Sequence, residues 1–275
     1  MSDLSKVKSL KLIDWSTPIH AAGLLGVLFL GCLAVVVFGL NPIAQPLEYH
    51  RFADVRACFG LANCGDVYSN VGFALAGLYG LWVLARERAL FGPEQKVIKA
   101  LFWLFFIAVT AVSIGSTYYH LDPDNGRLFW DRLPITMAFL ALFPAILADR
   151  ISTKSGVYIA AVAIPAGIAA LVYWIWTETL GAGDLRFYGL VQAYPLLCLM
   201  IVPWVFPSTR CSQSKYIYSM VGLYGLAKLL EVFDERVLML TGELISGHSL
   251  KHLVAAVACL VVVPMIRAGA RVPQP

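Results

Sequence analysis

The sequence predicts an all-α membrane protein, a polytopic bundle of transmembrane helices with a seven-helix core and one extra N-terminal helix. Of 275 residues, 59% are hydrophobic and only 14% are charged, and the mean hydropathy is +0.74. These values are too apolar for an ordinary soluble domain, so lipid is the solvent around most of the chain. The net charge of +4 is small and dispersed, which excludes nucleic acid as a partner.

The chain divides by composition into five parts. We predict a cytosolic tail over 1–18, an extra transmembrane helix over 19–40, an external loop over 41–65, a core over 66–266 and a cytosolic tail over 267–275. The first span is long and lacks a small-residue cleavage site, which indicates an uncleaved anchor. Seven spans of roughly 20 residues, the length that crosses about 30 Å of hydrocarbon, follow at about 66–86, 97–119, 128–148, 157–177, 186–206, 214–233 and 247–266.

The distribution of lysine and arginine predicts the orientation, with both termini cytosolic. Eight spans place the larger set of basic residues inside: Lys6, Lys8, Lys11, Arg86, Arg88, Lys96, Lys99, Arg150, Lys154, Arg210, Lys215, Arg267 and Arg271. The smaller set outside comprises Arg51, Arg56, Arg127, Arg186 and Arg236. This topology places His120, Asp131 and His248 together on the external or lumenal side.

Three histidines predict a metal site at that side of the membrane. His248 and His252 stand four residues apart at the head of the last span and share one helix face, and His120 ends the third span. Three imidazoles suit zinc and leave its fourth position for water. Zinc lowers the pKa of that water toward about 7 and so provides hydroxide at ordinary pH. The alternative is two interfacial histidines and one buried histidine without a metal.

Two further polar residues accompany the histidines. Asp131, eleven residues after His120, can accept a proton from the water as a general base. Ser116, one turn before His120, can donate to a developing oxyanion. The alternatives are an acid favoured by the helix dipole, paired with Arg132, and a small polar residue at a helix contact. Because these residues accompany three histidines, we favour catalysis for both.

These motifs resemble those of the alkaline ceramidase family and its wider superfamily of membrane hydrolases. They are Gly115-Ser116 with His120, Asp131-Arg132-Leu133-Pro134, and His248 with His252, and the resemblance covers about residues 63–266. It implies a seven-helix bundle with zinc on His120, His248 and His252, and catalytic support from Ser116 and Asp131. The implied activity is amide hydrolysis of a ceramide-type lipid, which enters from the bilayer, to a sphingoid base and a fatty acid. The extra span 19–40 departs from the family.

Two other functions remain open. One is a receptor-like zinc protein of the progestin and adiponectin receptor type in the same superfamily, with little or secondary hydrolysis. The other is a transporter, which is least favoured because the polar cluster lies at helix ends rather than at mid-membrane. The sequence identifies no protein partner.

Animal alkaline ceramidases carry an acidic calcium site just before their first helix. The corresponding region here offers Asp54, Asn63 and Asp66. Two acids and one amide are few oxygen ligands for calcium, so a solvated loop and a helix cap are favoured there over a calcium site. In the same loop, Cys58 and Cys64 can form a disulfide if the loop faces an oxidising compartment.

Other polar and aromatic residues in the spans suggest structural roles. Lys228 and Glu231 stand three residues apart and predict an ion pair, and Lys251 can extend its amine to the membrane interface. Several aromatic residues suggest an interfacial belt, among them Trp130, Tyr173, Trp174 and Trp176.

Overall fold

The computed structural model describes residues 18–87, 90–92, 95–206 and 211–270, and these form helices and loops without a β-strand. In chain order the α-helices are α1 Pro18–Ala34, α2 Cys64–Ser69, α3 Val71–Arg86, α4 Lys96–Leu121, α5 Asn125–Arg150, α6 Thr153–Thr179, α7 Arg186–Val205, α8 Ser214–Val232, α9 Asp234–Leu240, α10 Gly247–Leu260 and α11 Val262–Ala270. A π-helical turn over Val35–Gly39 continues α1, and a 3-10 helix covers Leu47–His50.

Within the described ranges, seven helical stretches are long and apolar enough to cross a membrane, which confirms the all-α polytopic prediction. They are Ile19–Gly39, Cys64–Arg86, Lys96–Leu121, Asn125–Arg150, Thr153–Thr179, Arg186–Val205 and Gly247–Gly269. The span predicted at 214–233 is α8, which meets α9 at a bend of 82°, so the count rises to eight if this pair is one span. Except for Pro18, the predicted tail 1–18 lies outside the described residues, as do Arg88, Arg210 and 271–275.

Side-chain caps set the helix starts more precisely than hydrophobicity does. Asp124 accepts a hydrogen bond from the backbone N–H of Arg127 at 2.8 Å, so α5 begins at Asn125 rather than at 128. Ser152 accepts in the same way from Ser155 at 3.1 Å, and α6 begins at Thr153 rather than at 157. These two helices therefore begin three and four residues before the predicted spans, whereas α7, α8 and α10 begin where the sequence predicted.

Close packing of α4 against α5 forms the centre of the bundle. Gly115 permits this approach, because a Cβ atom there would overlap the carbonyl oxygen of Trp130. The extra first helix lies beside α7, where the Tyr194 hydroxyl donates to the carbonyl of Leu25 at 3.1 Å. Ser116 and His120, at the end of α4, and Asp131, at the start of α5, therefore lie where these two closely packed helices meet.

The loop between α1 and α2 is folded against the bundle rather than extended into solvent. Cys58 and Cys64 form a disulfide. The backbone N–H of Leu185 donates to the Ile43 carbonyl at 2.8 Å, and that of Gln45 donates to Glu178 Oε1 at 2.6 Å. These contacts fasten the loop to the end of α6 and to the α6–α7 connection.

Candidate metal centre

The three predicted histidines come together in one buried group. One ring nitrogen from each of His120, His248 and His252 lies within 4.8 Å of the others. Each residue is at most 5% exposed. His248 and His252 lie one turn apart on α10, whose start is capped by Ser246 through the N–H of Ser249 at 2.9 Å. The last turn of α4 supplies His120.

His252 is oriented by a hydrogen-bonded chain. The Ser69 hydroxyl donates to the backbone carbonyl of Asp66 at 3.0 Å, and its oxygen lies 2.8 Å from Nδ1 of His252. Because the hydroxyl proton is engaged, Ser69 accepts from Nδ1–H, and Nε2 keeps the lone pair that a metal requires. Ser69 was not among the predicted site residues, although it lies within the first predicted core span and the Ser69-Asn70 pair fits the family pattern.

His120 shows the feature expected of an imidazole that binds a metal. Its Nδ1 atom is buried and has no hydrogen-bond partner among the described residues. A buried imidazole nitrogen of this kind is costly, and a metal ion satisfies it. The backbone is held in place by Asn63, whose side-chain amide donates to the His120 carbonyl at 2.8 Å. Three imidazole nitrogens fit a tetrahedral zinc ion whose fourth coordination position is left for water or substrate.

His248 lies beside a half-buried ionic cluster. Lys251 Nζ is 2.7 Å from Nε2 of His248 and 3.1 Å from Glu231, which also pairs with Lys228 at 2.7 Å, as predicted. The Lys251 side chain is 17% exposed and pairs with Glu231 within the protein; that it extends to the membrane interface stays a prediction. Nε2 becomes available to a metal when Lys251 keeps Glu231 alone.

Ser116 and Asp131 face each other where α4 meets α5. The Ser116 hydroxyl bonds to the Asp131 carboxyl group. Both residues line the same cavity as His252. The alternative ion pair of Asp131 with Arg132 is not formed among the described residues, because the Arg132 guanidinium donates to Gln45 at 2.7 Å instead. The serine and the acid are thus placed where they can serve the metal group, and their catalytic role stays a prediction.

That cavity has a volume of about 320 Å³ and extends from the polar group into the apolar interior. Along α4 it is lined from Ser116 back to Phe105. At 1.5 Å per residue this stretch is about 16 Å long. Other apolar lining residues come from α5, α7 and α8, including Ile135, Leu142, Leu199 and Met220. The shape and the lining suit an alkyl chain.

Phe52 covers the histidine group from the loop side. Its ring centroid lies 4.5 Å from that of His120 and 4.8 Å from that of His248, and the residue is 8% exposed. Next to it, His50 bridges the Tyr119 hydroxyl and Asn125, both at 2.9 Å. Phe52 was not among the predicted site residues, and the sequence does not distinguish it from Phe59 of the same loop, which is 98% exposed.

The residues compared with a calcium site are engaged elsewhere. The Asp54 carboxylate binds Arg56 at 2.6 Å, and this hydrogen-bonded guanidinium holds the pKa of Asp54 below its ordinary value of 3.8. Asp66 accepts from Ser249 and Ser246 at 2.7 and 3.3 Å. The expected roles are wrong in detail: Asp54 is 1% exposed, and Asp66 is a buried residue in the first turn of α2 rather than its cap. Within the described ranges, the three histidines alone form a group with metal-ligand spacing.

Comparison of the chain with protein-family models and with curated proteins finds no match. The ceramidase-like motifs are therefore the basis for the family resemblance. Metal binding is supported by the buried histidine group, whereas amide hydrolysis stays a prediction.

Proposed function

We propose that this protein is a membrane-embedded, zinc-dependent amidohydrolase that cleaves the amide bond of ceramide-type lipids. The proposal rests on one observation, namely that the polar residues of the predicted site lie beside an apolar cavity. His252, Ser116 and Asp131 line the wall of an elongated apolar cavity, and His120 and His248 complete the metal-ligand group beside it. A polar reacting group and a long alkyl chain can therefore be held at the same time.

The residues divide the chemistry among them. His120, His248 and His252 hold the ion, which supplies Lewis-acid activation of water and of the amide carbonyl. Asp131 accepts a proton from the attacking water and delivers it to the amide nitrogen. Ser116, whose hydroxyl bonds to Asp131 in this structure, would turn its O–H to the carbonyl oxygen as negative charge develops there. The water oxygen joins the acyl carbon as the C–N bond breaks, which yields a fatty acid and a sphingoid base.

Lipid is favoured as the substrate because the cavity lies among membrane-spanning helices. The alkyl chain can enter laterally from the bilayer, since the cavity lining is contributed by α4, α5, α7, α8 and α10. The loop residue Phe52 covers the histidines on the opposite, polar side. A lipid route and a covered metal group together favour hydrolysis of a membrane substrate over that of a soluble one.

Bound zinc and ceramide hydrolysis should be measured together for the purified protein in detergent, with His252→Ala as the test variant. His20→Ala, on the extra first helix, is the matched control. We expect one zinc per chain and release of sphingoid base in the wild type and in the control, with both lost in His252→Ala. Zinc without hydrolysis of any ceramide would contradict the amidase and favour the receptor-like alternative.

A further inference from the structure

Arg132 presents a buried cation to the cavity beside the metal group. The residue follows Asp131 on α5, is 7% exposed and lines the same cavity. Three aromatic rings surround its guanidinium carbon, with centroids at 4.4 Å for Trp174, 4.8 Å for Tyr188 and 5.5 Å for Tyr49. The expectation that Trp174 lies in an interfacial belt is wrong, because it is fully buried against this cation.

The hydrogen bonding of this guanidinium is incomplete. Nη2 donates to the neutral amide oxygen of Gln45 at 2.7 Å, and Nη1 is buried without a partner among the described residues. Cation–π contacts stabilise a desolvated cation, yet they leave an N–H donor unsatisfied. An oxygen acceptor on a ligand in the cavity would satisfy the N–H groups of Arg132 Nη1.

The other charged groups of the cavity are already engaged. Glu231 binds both Lys228 and Lys251, and Asp131 bonds to Ser116. In the described part of the chain, Arg132 forms no ion pair with a carboxylate. Asp131 lies next to Arg132 without forming an ion pair, so the buried guanidinium is only partly compensated and an anionic ligand gains more here than a neutral one.

We propose that Arg132 determines specificity by binding a carboxylate on the amine portion of the lipid amide, so that acidic N-acyl lipids are preferred over neutral ones. This inference rests on the proposed amidase function and extends its substrates from neutral ceramides, whose amine portion has no carboxylate, to acidic N-acyl lipids. A carboxylate supplies oxygen acceptors for the two N–H groups of Nη1, which has no partner among the described residues. The reaction is unchanged: water adds to the acyl carbon, the C–N bond breaks, and the amine leaves with its carboxylate intact.

The test compares lipids that differ only in charge. Hydrolysis of N-palmitoylglycine and of N-palmitoylglycinamide should be measured for the wild type, Arg132→Met and Arg132→Lys. Arg127→Met, which changes an arginine of the same helix paired outside the cavity with Asp122, is the matched control. We expect the wild type and the control to prefer the acid by about 10- to 100-fold in kcat/KM, the range for a hydrogen bond between charged groups. Arg132→Met should lose this preference, and Arg132→Lys should keep part of it.

A binding measurement separates this inference from the amidase function. Hexadecyloxyacetic acid and hexadecyloxyethanol carry an ether in place of the amide, so their dissociation constants are measurable by calorimetry whether or not the protein hydrolyses amides. Tighter binding of the acid by the wild type, lost in Arg132→Met, supports the inference even if no amide is cleaved. Equal binding of the two ethers, or a preference that survives in Arg132→Met, would overturn it. If Arg132→Met loses its zinc, Arg132→Lys provides the comparison.

Discussion

The Ser69 hydroxyl oxygen lies 2.8 Å from Nδ1 of His252 and accepts its proton, while the hydroxyl donates to the Asp66 carbonyl. This contact joins the start of the core to its last helix and selects one tautomer of a predicted metal ligand. Hydrogen bonds of this kind to the second ring nitrogen orient histidines around metals and raise their basicity.

Replacing Ser69 with alanine should weaken zinc binding without removing a ligand. We expect the zinc affinity of Ser69→Ala to fall about 10- to 100-fold, the usual effect of losing such a partner. Competition with a chromophoric chelator measures this. Ser219→Ala, an exposed serine of α8 that bonds only its own helix, is the control. Unchanged affinity in Ser69→Ala would show that the contact does not orient His252 toward a metal.

Asp131→Asn should separate catalysis from metal binding. Because the amide cannot accept a proton, kcat for lipid amide hydrolysis should fall by about 10²- to 10⁴-fold, with the zinc content unchanged. A variant that retains both zinc and full activity would contradict the role of Asp131 as the base.

Ser116→Ala should have a related but smaller effect. Loss of one hydrogen-bond donor to a developing oxyanion typically reduces kcat by about 10²- to 10³-fold. KM should change little, because the contact strengthens mainly in the transition state. An increase in KM alone would instead indicate a ground-state binding role.

Phe52→Ala should expose the histidine group to solvent. Two aromatic contacts of about 0.5–1.5 kcal/mol each are lost, and about 1.4 kcal/mol corresponds to a factor of ten. Release of zinc to an excess of chelator should therefore accelerate by about 5- to 100-fold. Phe59→Ala, in the same loop but with a side chain 98% exposed, should release zinc at the wild-type rate. Equal rates of zinc release for the two variants would show that Phe52 does not shield the histidine group from solvent.

The ion pair between Asp54 and Arg56 predicts that part of the folding stability is lost at low pH. Since Arg56 lowers the pKa of Asp54 below 3.8 in the folded protein, the pair stabilises the fold fully above the unfolded-state pKa. This contribution is lost as the pH falls through the lower folded-state value. We therefore expect the difference in melting temperature between wild type and Asp54→Asn to be constant from pH 6 to 8. Below about pH 4 the difference should shrink. A difference that persists unchanged at pH 3 would contradict the ion pair.

The sequence predicted the helices and part of the histidine group because both depend on short-range patterns. Apolar runs locate the spans, and the four-residue spacing of His248 and His252 places them on one helix face. Asp131 and Ser116 were identified from their place next to His120. His120 is distant from His248 and His252 in the chain, and its place in the group followed from the predicted topology, which puts the ends of these spans on one side of the membrane.

The contacts that the sequence did not predict join segments far apart in the chain. Phe52 reaches His120, and Trp174 and Tyr188 enclose Arg132, because the α1–α2 loop and helices α6 and α7 pack together in three dimensions. Lys251 pairs with Glu231 of α8 for the same reason. No local pattern encodes such pairs, and hydropathy alone assigns these residues to loops or interfaces.

X-ray absorption at the zinc edge of the purified protein tests the central claim most directly. The account predicts one zinc per chain with imidazole nitrogens at about 2.0–2.1 Å, from His120, His248 and His252, and loss of this signal in His248→Ala. A spectrum with sulfur ligands at about 2.3 Å, or no zinc after purification in zinc-containing buffer, would contradict a three-histidine centre.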